Sequence, residues 1–303
     1  MSTKWNILTT CYDTFRAAIP FKTRSIGPRE FYLKLLKELL ESGADPQDAD
    51  ELLAEYLFIK TNRKTWLIDD EMVSLLRETP IDENLEGVFF PYDVIGFSFQ
   101  NNCYVGEFPF RNALMFMPRC QLTYDIFSKD IASGSDVMRG RYKDKMFFIA
   151  NAGDDGEGNY SHGARLCVKW RNLRLLSKRN LISDMDGMSR PEIDAFREML
   201  KICVSAMLYY AARPELIQDI GVTIQARKSD FRSPRGQYSI LKMPEYKVAT
   251  SENASSQGSG RVVRPHYRGW VLRTLRHERY KRNPDGSIKV VLVPPCAIHG
   301  DRM

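Results

Sequence analysis

Two histidines and a tyrosine near the C-terminus, His266, His277 and Tyr280, are the residues whose types best fit acid–base chemistry in this chain. Arg261, Arg264, Arg268, Arg273, Arg276, Arg279, Lys281 and Arg282 surround them, eight cations between Gly260 and Arg282. Two imidazoles supply a general acid and a general base near neutral pH, and arginines clamp phosphate oxygens; together they describe metal-independent cleavage of RNA. The same cations, with His266, also interleave with Tyr267, Trp270 and Tyr280. Cations on phosphates and rings on unpaired bases describe RNA binding without chemistry. A third reading has Trp270, Leu272 and Leu275 facing a core while the arginines form a solvated face.

Other chemistry-bearing motifs are sparse. In "NAGDDGEGN", Asp154, Asp155 and Glu157 offer oxygens to a divalent cation, but the alternate spacing and terminal glutamate of a calcium loop are missing, so no metal is expected. "SDMDGMS" and "IDDE" read as turns or helix caps. The chain has no Walker loop, no GxGxxG after a strand, no GxSxG elbow and no HExxH, which disfavours the common nucleotide-dependent and hydrolase classes; no cofactor is expected. Six cysteines, Cys11, Cys103, Cys120, Cys167, Cys203 and Cys296, are scattered and form no CxxC. They are expected to be reduced, with Cys167 and Cys203 as small buried residues.

The charge distribution singles out the same region. Residues 261–303 hold ten Lys and Arg against three Asp and Glu, while the rest of the chain holds 34 against 35. A segregated basic excess is a footprint for phosphates or an acidic partner. At 43% hydrophobic and 27% charged residues the composition is globular, and the longest apolar run, Ala206 to Ala212, is too short to span a bilayer. The N-terminus lacks a charged segment followed by a long apolar core, so a cytoplasmic location without membrane partners is expected.

The elements that must position these residues follow from periodicity. "REFYLKLLKELLES" (29–42), "DPQDADELLAEYLFIK" (45–60) and "IDDEMVSLLRE" (68–78) read as helices, giving a helical N-terminal unit over 1–84. From residue 87 the pattern changes to β-branched and aromatic runs broken by Pro, Gly and Asn-Asn, with further strands at 143–151 and 164–176. Phe97, Phe99, Tyr104, Phe108 and Phe110 in this stretch line either a pocket or a core. Ser189, Pro191 and the apolar run to Arg213-Pro214 predict a long, central, buried helix, followed by short strands at 221–228 and 236–243. Residues 85–248 are thus expected as a mixed α+β core and 249–260 as a flexible linker. Over 261–303, Asn283-Pro284-Asp285-Gly286 predicts a type I turn and "KVVLV" a strand buried on both faces. The expected fold is α+β: a central mixed, mainly antiparallel sheet, a long buried helix and a C-terminal basic β-hairpin packed on the core.

"RPHYRGWVLRTLRHERYKRNPDGSIKVVLVPPCAIHG" resembles the C-terminal block of the type V-A anti-CRISPR protein two-like family of phage- and plasmid-borne proteins. The matching positions are Arg264, Pro265, His266, Arg268, Gly269 and Trp270; the family's Gly-His-Trp element is here Gly269-Trp270, without the intervening histidine. The resemblance is specific over residues 264–300 and architectural elsewhere. It implies a regulator that engages the nascent N-terminal peptide of a target protein and causes loss of the message being translated. A catalytic role for the missing histidine does not carry over. The partners implied are a nascent or N-terminal peptide and RNA or the ribosome; the peptide-binding residues are not implied.

Overall fold

The computed structural model describes residues 5–18, 26–42, 46–82, 84–116, 146–152, 165–168, 189–221, 235–245 and 266–298. In chain order the elements are α1 (Cys11–Ala18), α2 (Pro28–Ser42), α3 (Pro46–Lys60), β1 (Lys64–Ile68), α4 (Asp70–Glu78), β2 (Val94–Val105), β3 (Phe108–Phe116), β4 (Met146–Ala152) and β5 (Arg165–Val168). They continue with α5 (Arg190–Ala212), β6 (Ile217–Gly221), β7 (Gln237–Leu241), β8 (His266–Arg268), β9 (Val271–Thr274), β10 (Val290–Val293) and β11 (Cys296–Ile298). The fold is α+β. Seven strands form one sheet in the order β5-β4-β3-β2-β1-β7-β6, with β1 parallel to β2 and β7 and every other pair antiparallel.

Residues 64–68, inside the span expected to be helical, form an interior strand of this sheet between β2 and β7. All five residues of "KTWLI" are buried. The chain reverses from α3 into β1 through Asn62 and Arg63, both in the left-handed region at φ 60° and 52°. Such backbone is unfavourable for non-glycine residues. The Arg63 guanidinium holds the corner by reaching both oxygens of Asp13 at 2.8 Å, in a bidentate pair shielded from solvent.

Helices cover both sheet faces, which is why β1 and the first half of β2 are buried without alternation. On one face Tyr32, Leu53, Leu57 and Phe58 from α2 and α3 pack on Val94, Leu114, Phe116 and Ile149. Within that layer Glu55 is buried and accepts hydrogen bonds from the Cys11 amide (2.9 Å) and the Tyr32 hydroxyl (2.8 Å). Burial raises its carboxyl to about 7 against the opposing pull of those bonds. On the other face α4 and α5 pack on Trp66, Ile95, Phe97, Phe99, Met115 and Phe148. Phe97, Phe99 and Phe110 are core residues; Phe108 is half-buried and Tyr104 is 58% exposed.

Helix α5 starts as its sequence predicts. Ser189 Oγ accepts from the Glu192 amide, the Glu192 carboxylate accepts from the Ser189 amide, and Pro191 sits in the first turn. Eight consecutive residues, Ile202–Tyr209, are buried. A helix lying on a sheet exposes one side, so burial all round requires a further layer. The C-terminal strands β9 and β10 supply it, contributing Leu272 and Val290 to the same cluster, and Cys203 is buried there as expected. Each such fully buried aliphatic side chain is worth roughly 1.5–3 kcal/mol relative to exposure. Among the described residues, no helix is long and apolar enough to cross a membrane.

Candidate nucleic-acid interface

The C-terminal segment is one antiparallel ribbon. β9 pairs with β10 (Val271↔Val293, Thr274↔Val290) and β8 with β11 (Arg268↔Cys296, His266↔Ile298), and both pairs keep the same register. Between them Gly269-Trp270 stands opposite Pro294-Pro295. Proline has no amide proton to donate, so the ladder breaks there. The last rung is the Leu275 amide on the Lys289 carbonyl at 2.9 Å. Arg276 follows that rung, and residues 277–287 beyond it form the tip.

The root is apolar on one face only. Leu272, Ile288 and Val290 join the α5 core, with Trp270 and Leu292 partly buried against it. Val291 and Val293 are only half-buried, so the expectation that "KVVLV" is buried on both faces is corrected: the pleat alternates, and only one face meets α5.

A strap from the α4–β2 connection binds this root. The Leu272 amide donates to the Pro80 carbonyl (3.1 Å), the Thr274 hydroxyl donates to the Asp82 carboxylate, and the Arg276 guanidinium reaches Asn84 and Glu86. Both chains advance two residues per contact, so the strap runs parallel to β9. Arg276 Nη1 lies 2.8 Å from the Glu86 carbonyl and Nε 3.4 Å from Asp82, while Nη2 donates to the Asn84 carbonyl. At Gly87 (φ +74°) the carbonyl accepts from the Ile288 amide at 2.8 Å, and a Cβ here would meet Ile288 Cδ1 at 3.0 Å. Partial burial alone would raise the Asp82 carboxyl, but hydrogen bonds from Thr274, the Asn84 amide and Arg276 outweigh it and hold the group below the usual carboxylate range.

The tip closes as Asn283-Pro284-Asp285-Gly286 predicts. The Gly286 amide donates to the Asn283 carbonyl at 2.9 Å, and Gly286 takes φ +80°. The Asp285 carboxylate accepts from the Ser287 amide (2.9 Å) and hydroxyl (2.6 Å), which lower its affinity for a proton. "RHERYKR" does not form the outgoing strand; β9 does, and residues 277–280 make a separate turn in which the Tyr280 amide donates to the His277 carbonyl at 3.0 Å. In that turn the Arg279 amide donates to His277 Nδ1 (3.2 Å) and Arg279 Nη2 donates to the Tyr280 hydroxyl (2.7 Å). The Arg279 guanidinium carbon sits 4.8 Å from the Tyr280 ring centroid, and the His277 ring stands edge-on to that ring at 6.5 Å.

The basic residues that look alike in sequence separate here. Arg276 is taken up by the strap. Arg273, Arg279, Lys281, Arg282 and Lys289 are exposed, and none forms an ion pair among the described residues. His266, Tyr267 and Arg268 lie on β8, at the end of the ribbon away from the tip, and Trp270 leans on the core. Arg261, Arg264, Asp154, Asp155, Glu157 and the 249–260 segment lie outside the described residues. The structure does not bring His266 and His277 together: β9 stands between them, roughly 10 Å of strand at about 3.3 Å per residue. His277 and Tyr280 are brought together.

Comparison of the chain with protein-family models, curated proteins and solved structures returns no match. The reading of this surface therefore rests on its own geometry. Sequence reasoning missed the strap altogether. The signal in the sequence is weak: Asp82, Asn84 and Glu86 lie two apart before Gly87, but Glu83 among them breaks a polar–apolar alternation.

Proposed function

We propose that this protein is a non-enzymatic regulator that holds RNA on the tip of its C-terminal ribbon. On the resemblance of residues 264–300, it is further proposed to be an anti-CRISPR-like product of a mobile element that binds a target's nascent peptide and lowers that target's expression. One observation carries the RNA part: the exposed tip cations Arg279, Lys281 and Arg282, with Arg273 and Lys289 exposed on the strands below them, form no ion pair among the described residues and project from a ribbon whose other face is packed on α5. Unpaired cations in fixed positions release counterions when phosphates replace them, and a rigid root lowers the ordering cost of binding. For the peptide part, β6 is an edge of the large sheet among the described strands, with Gln218–Gly221 exposed, a geometry that accepts an extended chain by strand addition.

The test is a pull-down from a translating extract with the full chain. Recovery of intact RNA together with one enriched N-terminal peptide sequence is the expected result. Cleavage of RNA in chelator that His266→Ala abolishes would replace this reading with a ribonuclease, and recovery of neither RNA nor peptide would remove it.

A further inference from the structure

We infer that the turn formed by His277, Arg279 and Tyr280 is a preformed stacking platform for an unpaired base, so that the RNA taken by the tip is single-stranded. This inference rests on the RNA reading of the ribbon and names its substrate class. A flexible aromatic residue on a loop must be ordered before a base can stack on it; Tyr280 is ordered already. Its hydroxyl accepts from Arg279 Nη2, the same guanidinium lies within cation–π distance of the ring at 4.8 Å, and the His277 ring stands against its edge. The backbone of the turn is tied twice, by the Tyr280 amide on the His277 carbonyl and by the Arg279 amide on His277 Nδ1. That second bond makes Nδ1 the acceptor, so the neutral His277 carries its proton on Nε2 and turns a donor outward.

His277 is thus a positioning residue for the turn, and His277, Lys281 and Arg282 are all exposed around the half-buried Tyr280. A ring flanked by exposed cations suits a strand whose bases are splayed from a contacted backbone. In duplex RNA the bases stack on one another, and only phosphates and the 2′-hydroxyl-lined groove remain to be contacted. The tip is two short turns rather than a groove of helix width, which favours the unpaired form.

The experiment measures binding of a short single-stranded polyuridine RNA and of an RNA duplex of the same length to the full chain. The chains are wild type, Tyr280→Ala, Tyr280→Phe and the pair Lys281→Glu/Arg282→Glu, each checked for an unchanged melting temperature. Tyr280→Ala is expected to weaken single-strand binding by roughly ten-fold or more, in line with the loss of one base–aromatic stack, and to leave the duplex unaffected. Tyr280→Phe, which keeps the ring, is expected to retain most of the affinity. Equal losses on both RNAs, or no loss while the charge reversal still weakens binding, would overturn the stacking platform and leave the RNA reading standing. Charge reversal without effect on either RNA would overturn both.

Discussion

The root and the tip of the C-terminal ribbon are built from the same residue types, yet their arginines have opposite fates. At the root Arg276 turns inward and serves Asp82, Asn84 and Glu86, binding the strap to β9. Three to six positions further on, Arg279 and Arg282 face solvent, with Arg279 leaning on Tyr280. Reach of the strap decides between the two roles: Arg276, just past the last rung from Leu275 to Lys289, still meets the Asp82 carboxylate and the Asn84 and Glu86 carbonyls. Arg279, Lys281 and Arg282, further along the chain, are exposed. The root is therefore an element of stability, and the tip is available for a ligand.

Four outcomes would break or sharpen this contrast. The largest effect is expected at the root: Leu272→Ala removes a side chain that is 2% exposed under α5, and should cost about 2–5 kcal/mol in denaturant unfolding. Next comes Arg276→Ala, which leaves the Asn84 and Glu86 carbonyls without their donor and should cost about 1–3 kcal/mol. Arg276→Lys should not rescue it, because a single ammonium cannot reproduce the planar fork. If Arg276→Ala instead weakens RNA binding with no change in stability, the assignment of this residue to the root is wrong.

A pH titration followed by hydrogen exchange separates the root from the α1–α3 layer by sign. Asp82 has a depressed carboxyl, so its contribution is present above the ordinary carboxylate range and is lost as pH falls through the depressed value. Protection of β9 should therefore decline in acid, and Asp82→Asn should remove that dependence. Glu55 behaves in the opposite way. Its carboxyl is raised to about 7, so its favourable state is complete below the ordinary range and is lost as pH rises through about 7. Protection of α3 should fall over that rise, and Glu55→Gln should flatten it. The smallest stability effect is expected at the tip, where Lys281→Ala and Arg282→Ala should each stay within about 0.5 kcal/mol of wild type.

Much of this architecture was legible because local signals agreed with the tertiary packing. Helices α2–α4, the capping box of α5 and the Asn283–Gly286 turn are each set by a few neighbouring residues. Strand β1 escaped because "KTWLI" is short, lies between two helices and is buried on both faces, so it shows no alternation, while its lysine reads as surface. Helix α1 escaped for want of length: eight residues with one buried side chain carry little periodic signal. Asn101-Asn102, expected to break a strand, lies in an irregularity within β2, and the reversal comes at Gly106-Glu107. At the ribbon, charge segregation found the region but could not separate Arg276 from its neighbours. That distinction depends on partners about 190 positions away in sequence, on a strap whose residues read locally as loop.

The central claim is that unpaired tip cations on an anchored root hold RNA phosphates. Its most direct test is the affinity of the wild-type chain for a short single-stranded RNA across a salt series, compared with Lys281→Ala/Arg282→Ala. Log affinity should fall linearly with log salt in the wild type, and the double variant should lower that slope by about 1.4, two phosphate contacts at roughly 0.7 each. A wild-type affinity insensitive to salt, or a slope unchanged in the variant, would contradict it.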